Sequence, residues 1–358
     1  TRLREKGQLA DIGGEDYLLG ISDYCPSPAN AEHYIAIVHD RFVRRELVER
    51  SRKLAELAQT DEPLPRLLSK AFDMSHGLEA DGTDSFRTGD IDDSVDIPGV
   101  PSGLDALDIH GELGQGFPRG ELTVAGAMTS NGKTGFMVST CVRQSRRGYR
   151  CAYATLEMPR RKILRRMVQS VCGWSKAPET NLHAQADYND AVRLVKSLNI
   201  PIWDPSGKIG GDKTSERLMS WATELQRGEG LDVLYVDYAQ LLHKTKRYES
   251  RTIELQAVAD DLMWLAKQTG AAVVAAAQLI KTESGDLAVK HCRTFSDHAA
   301  FEFHLSLPPK TARPLTQPTW QASLSIAKSR DGSVGAEDVR FRWGHARFED
   351  LHYDPFAD

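Results

Sequence analysis

The 358-residue sequence predicts an α/β domain built on a mostly parallel sheet with helices on both faces, preceded by a helical segment. Three observations predict it. From residue 100 onward, short apolar runs alternate with longer segments of helical periodicity, the pattern of strands buried between two helix layers. A phosphate-loop string lies between one such strand and the helix after it. Before residue 60, only helical periodicity is visible.

The N-terminal helical reading rests on the segment opening at Ala29-Asn30-Ala31-Glu32. Tyr34, Ile37, Val38, Phe42, Val43, Leu47, Leu54 and Leu57 follow at close to helical spacing. Ser27 and Asn30 are candidate caps, and Pro28 suits a first turn. A second short helix runs from Pro65 to about Leu78 and carries Leu67, Leu68, Phe72 and Met74. It either packs on its own domain or docks on a neighbouring subunit; its sequence suits both. Residues 79–98 are acidic and weakly apolar, as in a tether. Domain boundaries are therefore placed at 1–62 (helical), 63–99 (linker helix and acidic linker) and 100–358 (α/β).

Within the α/β part the predicted strands are Leu122–Gly126, Cys151–Leu156, Ile200–Trp203, Val233–Asp237, Ala272–Ala277, Ser323–Ala327 and Val339–Trp343. Helices are predicted at Thr134–Arg147, Arg160–Cys172, Tyr188–Leu198, Ser215–Arg227 and Arg251–Thr269. The last two strands have no helix between them and flank Asp331-Gly332, which predicts an antiparallel hairpin.

Composition narrows the function classes. A net charge of −5 gives no global attraction to nucleic acid, so any such contact must come from a local basic surface. Five dispersed cysteines without a CxxC pair argue against a disulfide framework or a zinc site, and for a reducing compartment. No apolar run is long enough to span a membrane. The start at Thr1, with Arg2, Arg4 and Lys6 but no apolar stretch behind them, reads as a trimmed N-terminus rather than a signal peptide.

The string Ala127-Met128-Thr129-Ser130-Asn131-Gly132-Lys133-Thr134 fits GxxxxGK[ST] except at its first position. Backbone N–H groups of such a loop, with the helix N-terminus, face a polyphosphate. Ser130, Asn131, Gly132, Lys133 and Thr134 are the binding residues; Lys133 neutralises the β/γ oxygens and the Thr134 hydroxyl is placed for Mg²⁺. With Ala127 in place of glycine, the tightest turn has to form there without a positive φ.

Functional side chains of parallel sheets gather at the carboxyl ends of strands. Val233–Asp237 delivers Asp237, a second Mg²⁺ carboxylate acting through water. Cys151–Leu156 delivers Glu157, a base to orient and deprotonate the attacking water, or else a cap before the helix at Pro159. The strand from Ala272 delivers Gln278, which either senses the γ-phosphate or is structural. In the hairpin, Lys328 and Arg330 lie two residues apart on one strand face. Two such cations can complete a site on an adjacent protomer, although a solvated basic turn is the simpler reading of those residues alone.

Taken together these strings resemble the replicative hexameric DNA helicases of the DnaB type. Gly7-Gln8-Leu9, Ile12-Gly13-Gly14, Tyr17-Leu18 and Pro26-Ser27-Pro28-Ala29-Asn30-Ala31 look like the closing part of that family's helical N-terminal domain. Pro101-Ser102-Gly103-Leu104-Asp105-Ala106-Leu107 resembles the lead-in to its ATPase domain, and Ser130–Thr134 its phosphate loop. Leu156-Glu157-Met158-Pro159, Asp237-Tyr238-Ala239-Gln240-Leu241-Leu242, Arg247-Tyr248-Glu249-Ser250-Arg251, Ala277-Gln278-Leu279 and Ala327–Gly332 match its later motifs in order.

The resemblance implies a RecA-like fold, ATP and Mg²⁺ as cofactors, and a homo-hexameric ring hydrolysing ATP at each interface. Glu157, Lys133, Gln278, Lys328 and Arg330 would be the catalytic set, with Lys328 and Arg330 acting in trans. It implies single-stranded DNA in a central channel, a primase and a helicase loader as partners, a cytoplasmic place at the replisome, and a Leu64–Leu78 helix docked on the next subunit. One departure stands out: Ser296–Leu305 lacks the arginine expected of the family's DNA-contacting loop. Lys281, Lys290 and Arg293, with Lys244, Lys246 and Arg247, are the substitute DNA-binding residues, or else plain loop charges. Two rivals remain. A recombinase- or clock-protein-like ATPase shares the loop and sheet but not the N-terminal remnant. A divergent ring ATPase that loads partners without unwinding fits the altered 296–305 segment.

Overall fold

Apolar runs buried on both sides have one stable arrangement, a sheet between two helix layers, and the computed structural model has that form. It describes residues 31–60, 98–111, 114–179, 181–205, 213–281, 287–290, 292–314, 316–330 and 332–351. The expected linker helix at 64–78 and acidic stretch to residue 97 lie outside the described residues, as do the motifs before residue 31. The chain divides into two units, Thr1–Asp90 and Ile91–Asp358. In the first, α1 (Ala31–Ala58) is a single long helix in which Phe42, Leu47 and Val48 are exposed.

The second unit holds a ten-stranded sheet. In chain order its elements are α2 (Asp105–Asp108), β1 (Leu122–Ala127), α3 (Lys133–Arg146), β2 (Cys151–Thr155), α4 (Arg160–Cys172), α5 (Leu182–Ser197), β3 (Ile202–Trp203), α6 (Ser215–Gly228), β4 (Val233–Asp237) and α7 (Arg251–Thr269). There follow β5 (Ala272–Lys281), β6 (Leu287–Val289), α8 (Thr294–His298), β7 (Phe301–Ser306), β8 (Thr319–Ser329), β9 (Gly335–Arg342) and β10 (Arg347–Asp350). The strand order is β10-β9-β8-β7-β1-β5-β4-β2-β3, with β6 hanging antiparallel from β5. The pairs β3–β2, β2–β4, β4–β5, β5–β1 and β1–β7 are parallel, whereas β7–β8, β8–β9 and β9–β10 are antiparallel.

Alternation along each strand divides the core. Tyr153, Tyr235, Val274, Ala125 and Phe303 pack with Phe136, Met137 and Cys141 of α3 and with Ile163 and Met167 of α4. The intervening residues, such as Leu234, Val273, Ala275 and Val124, are buried on the other face, where α7 brings Leu255, Val258 and Leu262.

Three strands go beyond the predicted set, and each has a physical reason. β6 and β10 are only three and four residues long, too short to show a period. β7 is the informative one. Segment 296–305, aligned with the end of the family's DNA-contacting loop and the stretch after it, folds as the end of α8 followed by a core strand beside β1. Phe301, Phe303 and Leu305 are buried between β1 and β8, so this stretch cannot be a free loop. Its alternate positions, Glu302 and His304, break the apolar run; they are buried as a pair at 2.8 Å, with Ser296 Oγ donating to Glu302 at 3.1 Å. The short helices α2 and α8 have no predicted counterpart; the other helices and strands match their expected positions within a few residues, except that α5 starts at Leu182 rather than Tyr188 and β8 covers 11 residues. The expected hairpin around Gly332 is formed by β8 and β9.

The amino ends of β1, β2 and β4 are pinned by one carboxylate. Asp232 accepts from the Arg150 backbone N–H and Nε at 2.9 Å each and from Arg119 at 2.9 Å. Burial pushes its pKa up, but the Arg150 and Arg119 hydrogen bonds outweigh that and hold it at about 2. Because the folded value lies below the unfolded one, the stabilisation is full above about pH 4 and disappears as pH falls towards 2. After discounting for solvent screening at this partly exposed site, it contributes about 1 kcal/mol. Asp232→Asn should therefore lower stability by about that amount at pH 7 and bring variant and wild type together near pH 2 to 3, as read from urea unfolding curves.

Candidate nucleotide site

The site is built at the carboxyl edge of β1, β2, β4 and β5. β1 ends at Ala127, which is buried and has no positive φ; the strained positions fall later, at Ser130 (φ +67°) and at Gly132 (φ +81°). The substitution at the first loop position is thus accommodated by keeping that residue in the strand. Gly132 is required where it stands. A Cβ there would meet the Phe348 ring at 3.0 and 3.1 Å, in a conformation that L side chains rarely adopt.

Lys133 opens α3 with its ammonium 4.0 Å from the centre of the Tyr238 ring. Burial lowers its pKa below the ordinary lysine value, and the nearby Asp237 and Glu157 carboxylates offset part of that. This is a partly desolvated cation that a polyphosphate would suit.

Asp237 ends β4 and is 1% exposed. Its Oδ2 accepts from the Tyr153 hydroxyl at 2.9 Å, while Oδ1 is buried with no hydrogen-bond partner. A buried carboxylate oxygen left without a donor suits a hydrated cation. Among the described residues no cluster of three or more His, Cys, Asp or Glu could hold a metal by itself. Mg²⁺ is commonly held by one or two protein groups plus phosphates and water. Thr134 and Asp237 fit that part.

Glu157 lies two residues beyond β2 and is exposed. The strand ends are locked there: Leu156 N–H donates to Asp237 O at 2.8 Å, and Lys213 Nζ to Leu156 O at 2.6 Å. Glu157 itself has no hydrogen-bond partner among the described residues and stays available to a water. Gln278 donates from Nε2 to Thr129 Oγ1 at 2.8 Å, so its amide touches the phosphate loop. Gln240 clamps the Gln278 backbone from the other side, accepting from its N–H at 3.1 Å and donating to its carbonyl at 3.2 Å.

Lys328 and Arg330 are elsewhere. Arg330 N–H donates to Ala300 O, Ala300 N–H donates to Leu122 O, and the guanidinium pairs with Glu121 at 2.9 Å. All three contacts lie at the amino end of β1, five strand steps or about 17 Å from Ala127. Lys328 donates to the carbonyls of Ser296 and Asp297 at 2.9 Å each, so it is tied down and not projecting from the hairpin as expected. Burial, and then the neighbouring Arg330, lower its pKa.

The six basic DNA-binding candidates divide. Lys246, Arg247, Lys281 and Arg293 are exposed or partly so, and Lys290 is half-buried. Lys244 is a correction: its ammonium sits between Asp261 (2.6 Å) and Glu216 (2.8 Å), all three side chains under 20% exposed. It joins the start of α6 to α7 and has no surface left for a strand.

Sequence reasoning misses Tyr153, Tyr238, Gln240 and Arg313. Tyr153 has a signal, since it occupies the same strand parity as Asp237's register partner Thr155. Tyr238 and Gln240 stand inside a recognised motif without a role. Arg313 has no signal; it reaches Ser130 and Asn131 from more than 180 positions away.

The family model for the DnaB-like helicase C-terminal domain matches residues 99–286, more than half of the chain, and that for the DnaB-like helicase N-terminal domain matches residues 1–40. The chain is 26% identical over 395 residues to the replicative DNA helicase DnaB of Pasteurella multocida (strain Pm70), covering 98% of this chain and 80% of that protein. It is 26% identical over 396 residues to the DnaB helicase of Geobacillus stearothermophilus, covering 98% and 82%. Among solved structures, a DnaB-like replicative helicase described with its primase interactions superposes with a TM-score of 0.71 at 20% identity, covering 98% of this chain and 86% of that one. A second solved structure, of an isolated ATPase domain, gives 0.62 at 20% identity, covering 82% and 100%.

Gly132→Ala should weaken nucleotide binding at least about tenfold, because a strained and crowded loop cannot set its N–H groups. Titration with a fluorescent ATP analogue measures this, and an unchanged affinity would mean that the loop is not the binding element.

Proposed function

This chain belongs to the DnaB-like helicase family, and from that membership we propose that it is an ATP-dependent replicative DNA helicase. It acts as a homo-hexameric ring that translocates on single-stranded DNA at the replication fork, with a primase and a loader as partners. The observation that supports this reading is the placement of the candidate residues at two opposite sheet edges. Lys133, Asp237 and Glu157 gather at the carboxyl edge, and Arg330 sits at the amino edge.

In the proposed chemistry, the loop N–H groups and Lys133 bind the β- and γ-phosphates. Thr134 and Asp237 hold Mg²⁺, which supplies charge neutralisation when bound. Glu157 orients the attacking water and takes its proton. Arg330 reaches a neighbouring subunit's triphosphate and neutralises charge as the γ-phosphoryl group leaves, while Lys328 holds the Ser296 and Asp297 carbonyls beside it. Gln278 senses the γ-phosphate through the phosphate loop and passes its loss along β5, whose end carries Lys281 towards the DNA side. The cations Lys246, Arg247, Lys281 and Arg293, with Lys290, contact the strand backbone. We place the domain boundaries at 62 and 99.

The non-unwinding alternative rests on the missing arginine of segment 296–305, and nothing in that segment's fold, the end of α8 and a core strand, favours it. No helix among the described residues is long and apolar enough to cross a membrane.

Mixed assemblies test the shared site. Lys133→Ala and Arg330→Ala variants should each hydrolyse ATP at less than about a tenth of the wild-type rate. Mixed at equal amounts, random placement leaves about a quarter of interfaces with both groups intact, and DNA-stimulated turnover should return. No recovery on mixing would contradict the trans assignment.

A further inference from the structure

Between β7 and β8 the chain wraps around one side chain. Arg313 Nε donates to Pro308 O at 2.6 Å, and the guanidinium lies 5.6 Å from the centre of the Trp320 ring. Trp320 is itself held, donating from Nε1 to Pro314 O at 3.0 Å and stacking on Phe341 and Trp343. Trp343 Nε1 bonds back to Gln317 O at 2.6 Å. This shelf fixes the guanidinium plane and aims its two terminal nitrogens at the phosphate loop. One donates to Ser130 O at 3.3 Å and the other to Asn131 Oδ1 at 3.1 Å.

The residue held in this way is the loop's strained one. Ser130 has φ +67°, a region that a residue with a Cβ rarely adopts unless its surroundings impose it. Two of the loop's own bonds help: Asn131 N–H donates to Met128 O at 3.1 Å and Phe136 N–H to Gly132 O at 2.8 Å. The first closes a β-turn with Ser130 at its third position, but neither takes an atom of Ser130 as a partner. The bond from Arg313 does.

We propose that Arg313 is a positioning residue for nucleotide binding: it holds Ser130 in its left-handed conformation and sets Asn131, so that the loop N–H groups are aligned before phosphate arrives. The inference rests on the nucleotide reading of the loop. Its logic is preorganisation. Without the brace, part of the binding free energy goes into ordering the loop, so affinity falls while the chemical step is spared. A fork-shaped guanidinium can hold two acceptors in a plane, and an ammonium cannot.

The test uses the full-length protein, a fluorescent ATP analogue and steady-state ATP turnover. Arg313→Ala should raise the analogue Kd and the KM for ATP about tenfold, which corresponds to about 1.4 kcal/mol, with kcat within about twofold of wild type. Arg313→Lys should recover only part of the loss. The decisive variant is Ser130→Gly. Glycine takes φ +67° freely, so Arg313→Ala should raise Kd about tenfold in the wild-type loop but by less than about threefold when it is added to Ser130→Gly. A merely structural Arg313 would give no such coupling to a loop glycine. Arg313→Ala binding within about twofold of wild type, or a loss above about threefold in the Ser130→Gly background, overturns the proposal and leaves the nucleotide reading intact. A wild-type protein that binds no more analogue than Lys133→Ala refutes the nucleotide reading itself.

Discussion

The polarity of the sheet governs everything else in this molecule. A parallel strand delivers its carboxyl end to one edge only, and β1 hands the phosphate loop to that edge. The antiparallel turn from β7 into β8 runs the chain back and sets Arg330 beside Glu121, level with the opposite end of β1. No side chain spans that distance. A guanidinium at the amino edge can serve a triphosphate only on another copy of the chain, which makes assembly a requirement of the proposed chemistry.

The carboxyl edge is wired for communication as well as binding. Asp237 is fixed by Tyr153 from the strand beside it, and the two tyrosines of that face stack, Tyr235 donating in turn to Gln144 of α3. Gln278 touches Thr129 while its backbone is clamped by Gln240. A direct hydrogen bond thus joins the phosphate loop to β5, which pairs with β6 as far as Lys281. The Asp237–Tyr153 and Tyr235–Gln144 bonds are buried, whereas the Gln278–Thr129 bond is open to solvent.

Much of this is legible in the sequence. Lys133, Asp237, Glu157 and Gln278 can be found there because strand-end residues beside a phosphate loop follow a fixed local grammar. Local grammar fails where side chains act across the fold. Lys244 looks like a loop cation, but Asp261 and Glu216 reach it from two helices. β7 does carry a strand's alternation in Phe301, Phe303 and Leu305; what the sequence hides is its central place, because Glu302 and His304 look like solvent-facing positions and only their mutual pairing lets both be buried. Arg313 carries no motif; its meaning comes from a shelf of aromatic residues supplied by two later strands and the turn beyond them.

The measurement that bears most directly on the account is a cryo-EM map of the assembled particle with a non-hydrolysable ATP analogue and Mg²⁺. The account predicts that the Arg330 guanidinium has left Glu121 and lies within hydrogen-bonding distance of a γ-phosphate held by a neighbouring subunit's phosphate loop. A map in which Arg330 is still paired with Glu121, remote from every bound triphosphate, would contradict it.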